Sequence, residues 1–597
     1  MSKQNVCKDQ LDKNQELLAL RHSGEHILTQ AMIRLFGPER VIMAMGPATE
    51  EGFYFDFDSG EGFKLTEDEF GRIEKEMAKI IAADLPISRH EVSIAEAREL
   101  FADNPYKQEW LDQIADRDEK ISVYWTGDVD LAKVKTGESF VDLCKGPHAS
   151  STGQIKAFKL LSLAGAYWHG DEKNKMLTRV YGTAFPIQAE LDNYLTLLDE
   201  AKKRDHRKLG KELDLFTFSE LVGGGLPLWT PKGTILRHLL DDLVWKLRKE
   251  RGYEQVTIPH ITLKSLYEKS GHWAKFANDL FKIKTREGHE FAMKPMNCPH
   301  HTQIYAHLPR SYRDLPQRYA ETTMVYRDEQ SGELNGLSRV RCITQDDAHV
   351  FCRESQLKHE VFAIWDIIEA FYKACGFPEL SLRLSLSDPK QMDKYLGTKE
   401  QWAQAEDQLR QFATERGAKY FEAVGEAAFY GPKLDFMTKD SLGREWQVAT
   451  IQADRNMPSR FELTYTNEAG EKEQVVMIHA AIMGSIERFI SILIEHHAGK
   501  FPFWLAPVQV KVLPITDGQH QYAQDVVSQL TKAKLRVELD DRSERLQAKI
   551  RDAQLQQIPY MLILGAKEVA NQTVSVRSRD AGDLGSMDLT EITSKLQ

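Results

Sequence analysis

The sequence has few cysteines, no long apolar run and none of the common nucleotide-binding loops. Its six cysteines, at positions 7, 144, 298, 342, 352 and 375, form no Cys-x-x-Cys pair. This scatter argues for reduced thiols in a cytoplasm, with single cysteines free for chemistry or metal binding. No run of about 18 apolar residues occurs, so no membrane span is expected. Neither a GxxxxGK[ST] nor a GxGxxG motif is present, so any bound nucleotide does not lie on a P-loop.

The length and charge indicate a large multidomain protein. A chain of 597 residues with 42% hydrophobic content is long enough for several globular domains. The formal net charge of −11 argues weakly against a bulk nucleic-acid coat protein. A local basic run, residues 202–208, is either a nucleic-acid surface or a solvated helix face. The polar start of the chain lacks the apolar core of a signal peptide.

Residues 322–327 and 339–349 predict the two strands of an antiparallel hairpin, because the segment between them is rich in turn residues. Alternation with a period of two puts a mixed set of side chains on one face. These are Arg339, Arg341, Ile343, Gln345, Asp347 and His349. One interpretation is an ordinary solvated sheet face. The other is a site for a polyanion and a polar second ligand, because arginine binds phosphate through two hydrogen bonds.

Two pairs of candidate metal-ligating residues occur in the first third of the chain. His22 and His26 are four residues apart, so they share one helix face. Glu25 precedes the second histidine instead of following the first, which excludes the zincin motif. Cys144 and His148 follow a predicted strand at residues 140–143. Core or surface histidines are the alternative to a site.

Periodicity predicts further elements in the second half. Leucine and valine at residues 236–247 predict an amphipathic helix that stops at Gly252, and residues 253–258 predict a strand. Residues 429–436 and 446–452 predict two more strands. Arg488 lies beside an apolar helix stripe and needs an anionic partner, either a ligand or a structural salt bridge. From about residue 504, strands alternate with helices, which predicts a parallel α/β layer.

Several of these motifs carry a resemblance to a known family. Arg327-Asp-Glu329, followed by a loop and Arg339, resembles motif 2 of the class II aminoacyl-tRNA synthetases. Met296-Asn-Cys298-Pro and residues 336–349 resemble the threonyl-tRNA synthetase family specifically. The resemblance implies an α+β multidomain fold. Its parts are an N-terminal α+β editing domain, a catalytic core on the antiparallel sheet of class II synthetases, and a C-terminal α/β anticodon-binding domain.

The resemblance also implies a domain order. A leader, an editing domain, a linker helix, a catalytic domain and an anticodon-binding domain are expected at 1–20, 21–186, 187–212, 213–503 and 504–597. Fuller family members begin with a small ubiquitin-like domain. There is no room for one before His22, so a naturally short or a trimmed chain is expected. The helix at 236–247 and the strand after it resemble motif 1, which implies a homodimer through the catalytic domain.

The family's activity is ATP-dependent ligation of threonine to tRNA(Thr) in the cytoplasm, with no membrane partner. The resemblance implies one zinc ion per subunit, held by Cys298, His349 and His479, and magnesium bound with ATP. The alternative ligands are His300, His301, Cys342 and Cys352. A three-ligand zinc leaves an open position for the amine and β-hydroxyl of threonine. Valine lacks the hydroxyl, whereas serine lacks only a methyl group, worth about 1–3 kcal/mol, so serine needs a second, hydrolytic site.

The resemblance assigns roles at the adenylate site. Arg327 is expected on the α-phosphate, Arg488 of motif 3 on the γ-phosphate side, and Lys433 at the adenylate, as the catalytic residues. Other residues are expected to bind ATP or threonine. These are Met296, Glu329, Arg339, Gln345, Asp347, Tyr430, Gln447, Thr450, Gln452, Gly484 and Ser485.

The remaining implied sites are for editing and for the anticodon. The editing set, expected to be metal-free and to hydrolyse mischarged Ser-tRNA(Thr), is His22, His26, Cys144, His148 and Asp142. Glu568 and Arg577 match positions that contact anticodon bases. His169, Ala480 and Ser543 depart from the residues common in the family. The alternative function is a catalytically inactive, synthetase-like RNA-binding regulator.

Overall fold

The computed structural model describes residues 3–49, 51–60, 62–115 and 121–596, with side chains from Asn14 onward. The contacts divide the chain into two compact units, Met1–Asp199 and Glu200–Gln597. Within the described residues, no helix combines the length and the apolar content needed to cross a membrane.

The first unit combines helices with two antiparallel sheets. Its helices are α1 (Lys3–Phe36), α2 (Phe70–Ala82), α3 (Ile94–Leu100), α4 (Pro105–Ala115) and α5 (Leu131–Thr136), with α6 (Gln188–Arg204) at its end. Its strands are β1 (Val41–Met45), β2 (Phe53–Ser59), β3 (Ile87–Val92), β4 (Ile121–Thr126), β5 (Phe140–Leu143), β6 (Ala157–Tyr167) and β7 (Met176–Phe185). The sheet orders are β1-β2-β7-β6 and β3-β4-β5.

The predicted leader at 1–20 is wrong as a separate segment. From Lys3 onward these residues belong to α1, a single helix of 34 residues. Ile27, Leu28 and Met32 of α1 are fully buried in the core of the first unit. This burial anchors the C-terminal half of α1, and the polar N-terminal half continues the same helix.

The predicted linker helix at 187–212 is two helices. Helix α6 ends at Arg204, and after Asp205 the chain continues as α7 (His206–Glu212). The Asp205 carboxylate accepts a hydrogen bond of 2.7 Å from the N–H of Arg207 and thereby caps α7. An aspartate suits this capping position better than a helix interior, which explains the break.

Residues 206–497 of the second unit are built around a large mixed sheet. Its remaining helices are α8 (Pro231–Lys249), α9 (Lys264–Ser270), α10 (His272–Lys275), α11 (Cys298–Ala306), α12 (Leu357–Ala374), α13 (Lys399–Glu415), α14 (Asn456–Arg460) and α15 (Ile486–His497). Its first strands are β8 (Phe216–Thr217), β9 (Leu228–Trp229), β10 (Glu254–Gln255), β11 (Ile261–Leu263), β12 (Lys282–Lys284), β13 (Glu290–Met293), β14 (Gln317–Tyr326) and β15 (Cys342–Cys352). Its later strands are β16 (Ser381–Leu386), β17 (Tyr420–Val424), β18 (Lys433–Lys439), β19 (Glu445–Asp454), β20 (Thr464–Thr466), β21 (Lys472–Gln474) and β22 (Val476–Ser485).

The eight-stranded sheet has the order β10-β14-β15-β22-β19-β18-β16-β17. Its central pairs are antiparallel, whereas β10–β14 and β16–β17 are parallel. Helices α8, α12 and α15 contribute buried side chains to the core on one of its faces. The other face is therefore available to present polar side chains.

The predicted hairpin is confirmed, with one correction. β14 and β15 pair antiparallel from Gln317 opposite Phe351 to Tyr326 opposite Cys342. Arg339 and Arg341 were expected on the strand but precede it. They lie in the connection, where Asn335 and Arg339 form an isolated bridge. Loop residues reach a ligand more freely than strand residues fixed in a ladder.

Three other element predictions change in extent. The amphipathic helix is confirmed as α8, and Gly252 follows it with φ +74°. Of the strand predicted at 253–258, only Glu254–Gln255 forms a strand, β10. Tyr253 and Ile258 are buried outside the ladder. Residues 429–432 precede β18 instead of belonging to it.

The C-terminal layer forms a separate five-stranded sheet. Its elements are β23 (Val510–Pro514), α16 (His520–Lys532), β24 (Val537–Leu539), α17 (Leu546–Leu555), β25 (Tyr560–Leu564), α18 (Ala566–Asn571), β26 (Thr573–Ser578), β27 (Gly582–Asp588) and α19 (Leu589–Leu596). The predicted parallel pairing is confirmed for β23 with β24 and with β25. β26 and β27 join antiparallel, so the sheet is mixed.

Candidate active site and histidine pocket

A cavity of about 520 Å³ lies over the polar face of the large sheet. Nine of the predicted substrate-binding residues line it, although they are up to 161 positions apart in sequence. They are Arg327, Glu329, Arg339, Gln345, Gln447, Thr450, Gly484, Ser485 and Arg488. Strands β15, β19 and β22 and the start of α15 carry six of them, while Arg327, Glu329 and Arg339 lie in the connection between β14 and β15.

Two of the arginines in this cavity lack a carboxylate partner. Among the described residues, no carboxylate oxygen lies within 4 Å of the guanidinium of Arg327 or Arg488. Desolvation lowers the pKa of both side chains, and Nε of Arg327 is buried without a hydrogen-bond partner. Aromatic rings face both cations, with Phe276 5.7 Å from Arg327 and Trp446 5.7 Å from Arg488. Two unpaired cations facing one cavity favour an anionic ligand such as a polyphosphate.

Arg339 differs from these two because it already has partners. Its guanidinium lies 2.7 Å from Glu329 and 3.2 Å from Glu333. The neighbouring Arg341 donates to the backbone oxygen of Glu329 at 2.9 Å and lies outside the cavity lining. The connection between β14 and β15 is thus held by its own ion pairs.

The far wall of the cavity is fixed by a buried aspartate that sequence reasoning missed. Asp435 accepts hydrogen bonds from Gln447 at 2.8 Å and Thr450 at 2.7 Å. Arg383 lies 3.1 Å from Asp435 and donates to Gln447 at 2.6 Å. Strand alternation from Lys433 places Asp435 on the same face, which is the signal that could have identified it.

A second missed aspartate shapes the turn into motif 3. The pairing of β15 with β22 shifts between Gln345 and Asp347, leaving the N–H groups of two bulged residues without ladder partners. Asp346 accepts both, from Ile482 and Met483, at 2.9 Å each. Arg248 of α8 pairs with Asp346 at 3.2 Å. Burial raises the pKa of Asp346 to about 6.

Beside this cavity, the sheet register brings together the three predicted metal ligands. His349 lies opposite His479, and Cys298 stands at the start of α11. Their ligand atoms all lie within 4.8 Å of one another, and all three residues are buried. Nε2 of His349 is 3.0 Å from Nδ1 of His479, while Nε2 of His479 is 3.0 Å from Asp454. One soft sulfur and two imidazole nitrogens form a donor set that suits zinc.

The partners of these ligands support the same interpretation. Burial lowers the pKa of His349 well below its usual value, so the ring is neutral and keeps a nitrogen lone pair. Asp454 contacts the ring of His479, and His301 lies 2.8 Å from Nδ1 of His349. His301 therefore contacts a ligand. Among the described residues, the alternatives His300, His301, Cys342 and Cys352 do not join the three-residue group.

Five predicted substrate residues are not among those that line the arginine cavity. Tyr430 donates to Gln452 at 2.8 Å, and its ring is 5.2 Å from that of His479. Gln452 stands opposite both His479 and Lys433 in the sheet register. Asp347 accepts a hydrogen bond of 3.0 Å from Asn297.

Met296 packs against the hydrophobic cluster that contains Cys298. Lys433 pairs with Asp435 at 3.3 Å, so it joins the wall of the cavity to the row of His479. The candidate active site is therefore continuous, with unpaired cations at one end and the metal-ligand set at the other.

The first unit holds a separate histidine pocket. Ligand atoms of His22, His26, Cys144 and His148 lie within 4.8 Å of one another. Sγ of Cys144 is 3.3 Å from His22 and 3.2 Å from His148. His22 and Cys144 line a cavity of about 480 Å³ that is also lined by Asp142.

Burial sets the protonation of this pocket. It lowers the pKa of His148 to about 2 and raises that of Cys144 to about 12. It also lowers the pKa of His26 well below its usual value. The pocket therefore holds neutral imidazoles and a thiol at neutral pH, which are suited to orienting water.

Ser23, next to His22, connects His148 to the backbone. The hydroxyl oxygen of Ser23 accepts a hydrogen bond of 2.9 Å from the N–H of Ala149 and lies 3.2 Å from Nδ1 of His148. Lys107 is a further residue that sequence reasoning missed. It is buried and pairs with Asp142 at 2.7 Å.

Comparisons with known proteins follow the same division of the chain. Three family models match: the tRNA synthetase class II core domain (G, H, P, S and T) at residues 281–497, the anticodon binding domain at 509–597, and the threonyl and alanyl tRNA synthetase second additional domain at 121–181. The threonine–tRNA ligase of Porphyromonas gingivalis is 49% identical over 583 residues, covering 97% of this chain and 87% of the relative. That of Deinococcus radiodurans is 49% identical, covering 94% and 85%.

The chain belongs to the threonine–tRNA ligase family. Solved structures agree with this assignment. The RNA binding domain of threonyl-tRNA synthetase from Cryptosporidium parvum is similar at 38% identity and a TM-score of 0.62, covering 66% of this chain and 97% of that one. A Giardia lamblia prolyl-tRNA synthetase at 19% identity and a TM-score of 0.52 is similar in fold alone.

Family membership gives the three departures from the common residues a structural context. Ala480 is buried in the core of the sheet, on the face opposite His479, so its change bears on packing. His169 has φ +56° and contacts Glu109 at 2.8 Å. Ser543 is exposed, whereas Glu568 is half-buried, accepts from the N–H of Gly565 at 2.9 Å and caps α18. Arg577 lies on β26 opposite Met561.

Proposed function

We propose that this threonine–tRNA ligase activates L-threonine with ATP and magnesium at the cavity over the large sheet and transfers it to tRNA(Thr). The carrying observation is that two guanidiniums, those of Arg327 and Arg488, face one cavity and have no carboxylate partner among the residues that the structure describes. The three-residue metal-ligand group continues the same site along β15. An RNA-binding regulator without catalysis would need neither feature, so that alternative is not favoured.

The geometry supports a division of roles. In activation, a carboxylate oxygen of threonine attacks the α-phosphorus, the bond to pyrophosphate breaks, and negative charge builds on the phosphoryl oxygens. Arg327 would bind the α-phosphate and Arg488 the γ-phosphate side, because fixed cations stabilise that charge without reorganising. Gln345, Asp347 and Gln447 would orient the substrate amine and the ribose, while Glu329 would orient the adenine.

We further propose that Cys298, His349 and His479 hold one zinc ion. The metal would supply an open coordination position that a hydroxyl group fills and a methyl group cannot. The chain's own residues support this by geometry, since Asp454 orients His479 and His301 orients His349. Valine is nearly isosteric with threonine but loses that interaction, so the site would reject it strongly.

Serine needs the second pocket because a missing methyl group is worth only about 1–3 kcal/mol in binding. We propose that His22, His26, Cys144 and His148, with Asp142, hydrolyse Ser-tRNA(Thr) there without a metal. The neutral imidazoles would hold water against the ester carbonyl. The ester bond breaks, serine leaves, and the tRNA keeps its hydroxyl group.

Three further features complete the proposal. Glu568 and Arg577 would contact anticodon bases, because a carboxylate accepts from cytosine and a guanidinium pairs with guanine. Motif 1, which is α8 and β10, would form a homodimer interface. The reduced cysteines suit a cytoplasmic protein.

The test is ATP–pyrophosphate exchange with threonine, serine and valine, with and without a zinc chelator. Exchange with threonine, weaker exchange with serine, none with valine, and loss on chelation are expected. Restoration by added zinc would separate metal loss from denaturation. Zinc-loaded protein that fails to exchange with threonine would contradict the proposal.

A further inference from the structure

Three of the five cations in the basic run at residues 202–208 have partners within the protein. Arg207 pairs with Asp205, Lys203 pairs with Glu200 at 2.8 Å, and Arg204 donates to Ser441 at 2.7 Å. The side chain at its centre, His206, is buried with 4% exposure. The charges are therefore largely used within the protein, and the buried imidazole needs its own explanation.

Each polar atom of His206 has a defined partner. Nδ1 lies 2.7 Å from a carboxylate oxygen of Glu495, and the backbone N–H of His206 donates to the same oxygen at 3.1 Å. Nε2 accepts a hydrogen bond of 3.0 Å from the backbone N–H of Leu337. Since the Leu337 N–H is a donor, Nε2 carries no proton and Nδ1–H donates to Glu495.

This arrangement argues against a metal site at the same residues. Asp205, His206 and Glu495 have ligand atoms close enough to hold an ion. However, Glu495 also receives Arg444 at 2.5 Å, and Asp205 caps its own helix and pairs with Arg207. With both ring nitrogens of His206 already engaged, the cluster works as a hydrogen-bonded bridge.

The two ends of the bridge lie on the segments that carry two of the proposed ATP-binding arginines, Arg339 and Arg488. Leu337 lies in the connection between β14 and β15, two residues before Arg339. Glu495 lies near the end of α15, the helix that begins beside Arg488. The connection passes close to His206 at Gly336, where φ is +49°. A Cβ on this residue would lie 2.2 Å from Nε2 of His206. Only a glycine lets the connection approach the imidazole this closely.

We propose that His206 is a positioning residue that sets the motif 2 connection against the motif 3 helix, so that their arginines bind ATP together. It touches no substrate. The inference rests on the proposed adenylation site, and it assigns part of that site's geometry to a segment outside all three class II motifs. Loosening the bridge should weaken ATP binding without changing threonine binding.

Two substitutions separate the ends of the bridge. His206→Gln ends in an amide at the ε position and keeps an acceptor for Leu337, whereas His206→Asn ends at the δ position and keeps only a donor for Glu495. A lost hydrogen bond of this kind predicts a rise of about 3- to 10-fold in the KM for ATP for His206→Asn. His206→Gln should remain within about twofold of wild type, because it keeps the acceptor for Leu337 and the backbone N–H of residue 206 still donates to Glu495.

The matched control is His497→Asn, which removes an imidazole hydrogen bond of 2.9 Å to the backbone oxygen of Cys375 from the same helix α15. It should leave the KM for ATP unchanged. The KM for threonine and the melting temperature are measured for every variant. Equal KM values for ATP in the two His206 variants, or a lowered melting temperature with no change in the KM for ATP, would overturn the inference.

Gly336→Ala tests the bridge from the other side, so the proposal stays testable if His206→Asn does not fold. Its Cβ would push the connection off His206 and should also raise the KM for ATP. An unchanged value would overturn the inference. If the wild-type protein itself shows no threonine-dependent exchange, the proposed function fails instead, so the two failures are distinguishable.

Discussion

Removing the charge of Arg327 should abolish most activity while leaving the fold as stable as before. The reason is that Arg327 has no carboxylate partner among the described residues and buries an Nε–H that donates to nothing. Arg327→Met keeps similar length and removes both the charge and that donor. An unsatisfied buried polar group costs about 1–3 kcal/mol, so the free energy of unfolding should stay the same or rise.

The catalytic cost should be large. Losing one preorganised group that stabilises transition-state charge typically lowers kcat by about 10²- to 10³-fold. Threonine-dependent ATP–pyrophosphate exchange measures this loss directly. Thermal and denaturant unfolding of the same preparation measure the stability.

Arg318 is the matched control, because it lies on β14, the strand that directly precedes Arg327. Unlike Arg327, it makes two hydrogen bonds to Glu360, at 2.6 and 2.8 Å, and Glu360 is buried. Arg318→Met leaves that carboxylate alone and should destabilise the protein by about 3–5 kcal/mol. If Arg327→Met destabilises as much as Arg318→Met, or keeps full exchange activity, Arg327 is a structural residue and the reasoning is wrong.

Three further predictions concern the metal and the histidine pocket. Zinc analysis should find about one ion per chain, as expected for three protein ligands and an open position, and Cys298→Ala should abolish it, whereas Cys352→Ala should not. Ser23→Ala should lower deacylation of Ser-tRNA(Thr) about 5-fold through the lost hydrogen bond to His148, with aminoacylation unchanged; equal deacylation would exclude the role. Because burial lowers the pKa of His148 to about 2, while an unfolded histidine titrates near 6.5, only the unfolded chain takes up a proton between pH 7 and 5. Stability should therefore fall by roughly 2 kcal/mol over that range, and thermal melts of His148→Gln should show a smaller pH dependence; an equal dependence would contradict the pKa.

The sequence predicted local structure well where one periodic signal dominated. The hairpin of β14 and β15, the helix α8 and the parallel pairing of β23 with β24 and β25 were each predicted from alternation or helical spacing. The errors lie where local rules compete with packing. Arg339 and Arg341 fit the alternation of β15 in sequence, yet the strand begins only after them, at Cys342. Asp205 breaks the predicted linker helix because it caps α7.

The candidate sites divide in the same way. Local spacing by itself determined that His22 and His26 share a helix face, because a four-residue separation fixes that geometry. The zinc ligands and the phosphate-binding arginines were predicted only from the resemblance of the sequence motifs to the family. Residues of purely supporting function, such as Asp346, Asp435 and Asp454, had no local signal beyond alternation with a neighbouring site residue.

Only the tertiary structure decided which residues meet. Cys298, His349 and His479 converge because β15 and β22 pair in one register and α11 begins beside them. It alone revealed that, within the described part of the chain, Arg327 and Arg488 have no carboxylate partner, while Arg318 has one. It also showed that His206, within the basic run, is buried and forms hydrogen bonds with Glu495 and Leu337. Sequence spacing specifies contacts within one helix or strand, whereas register and helix packing specify contacts across more than a hundred residues.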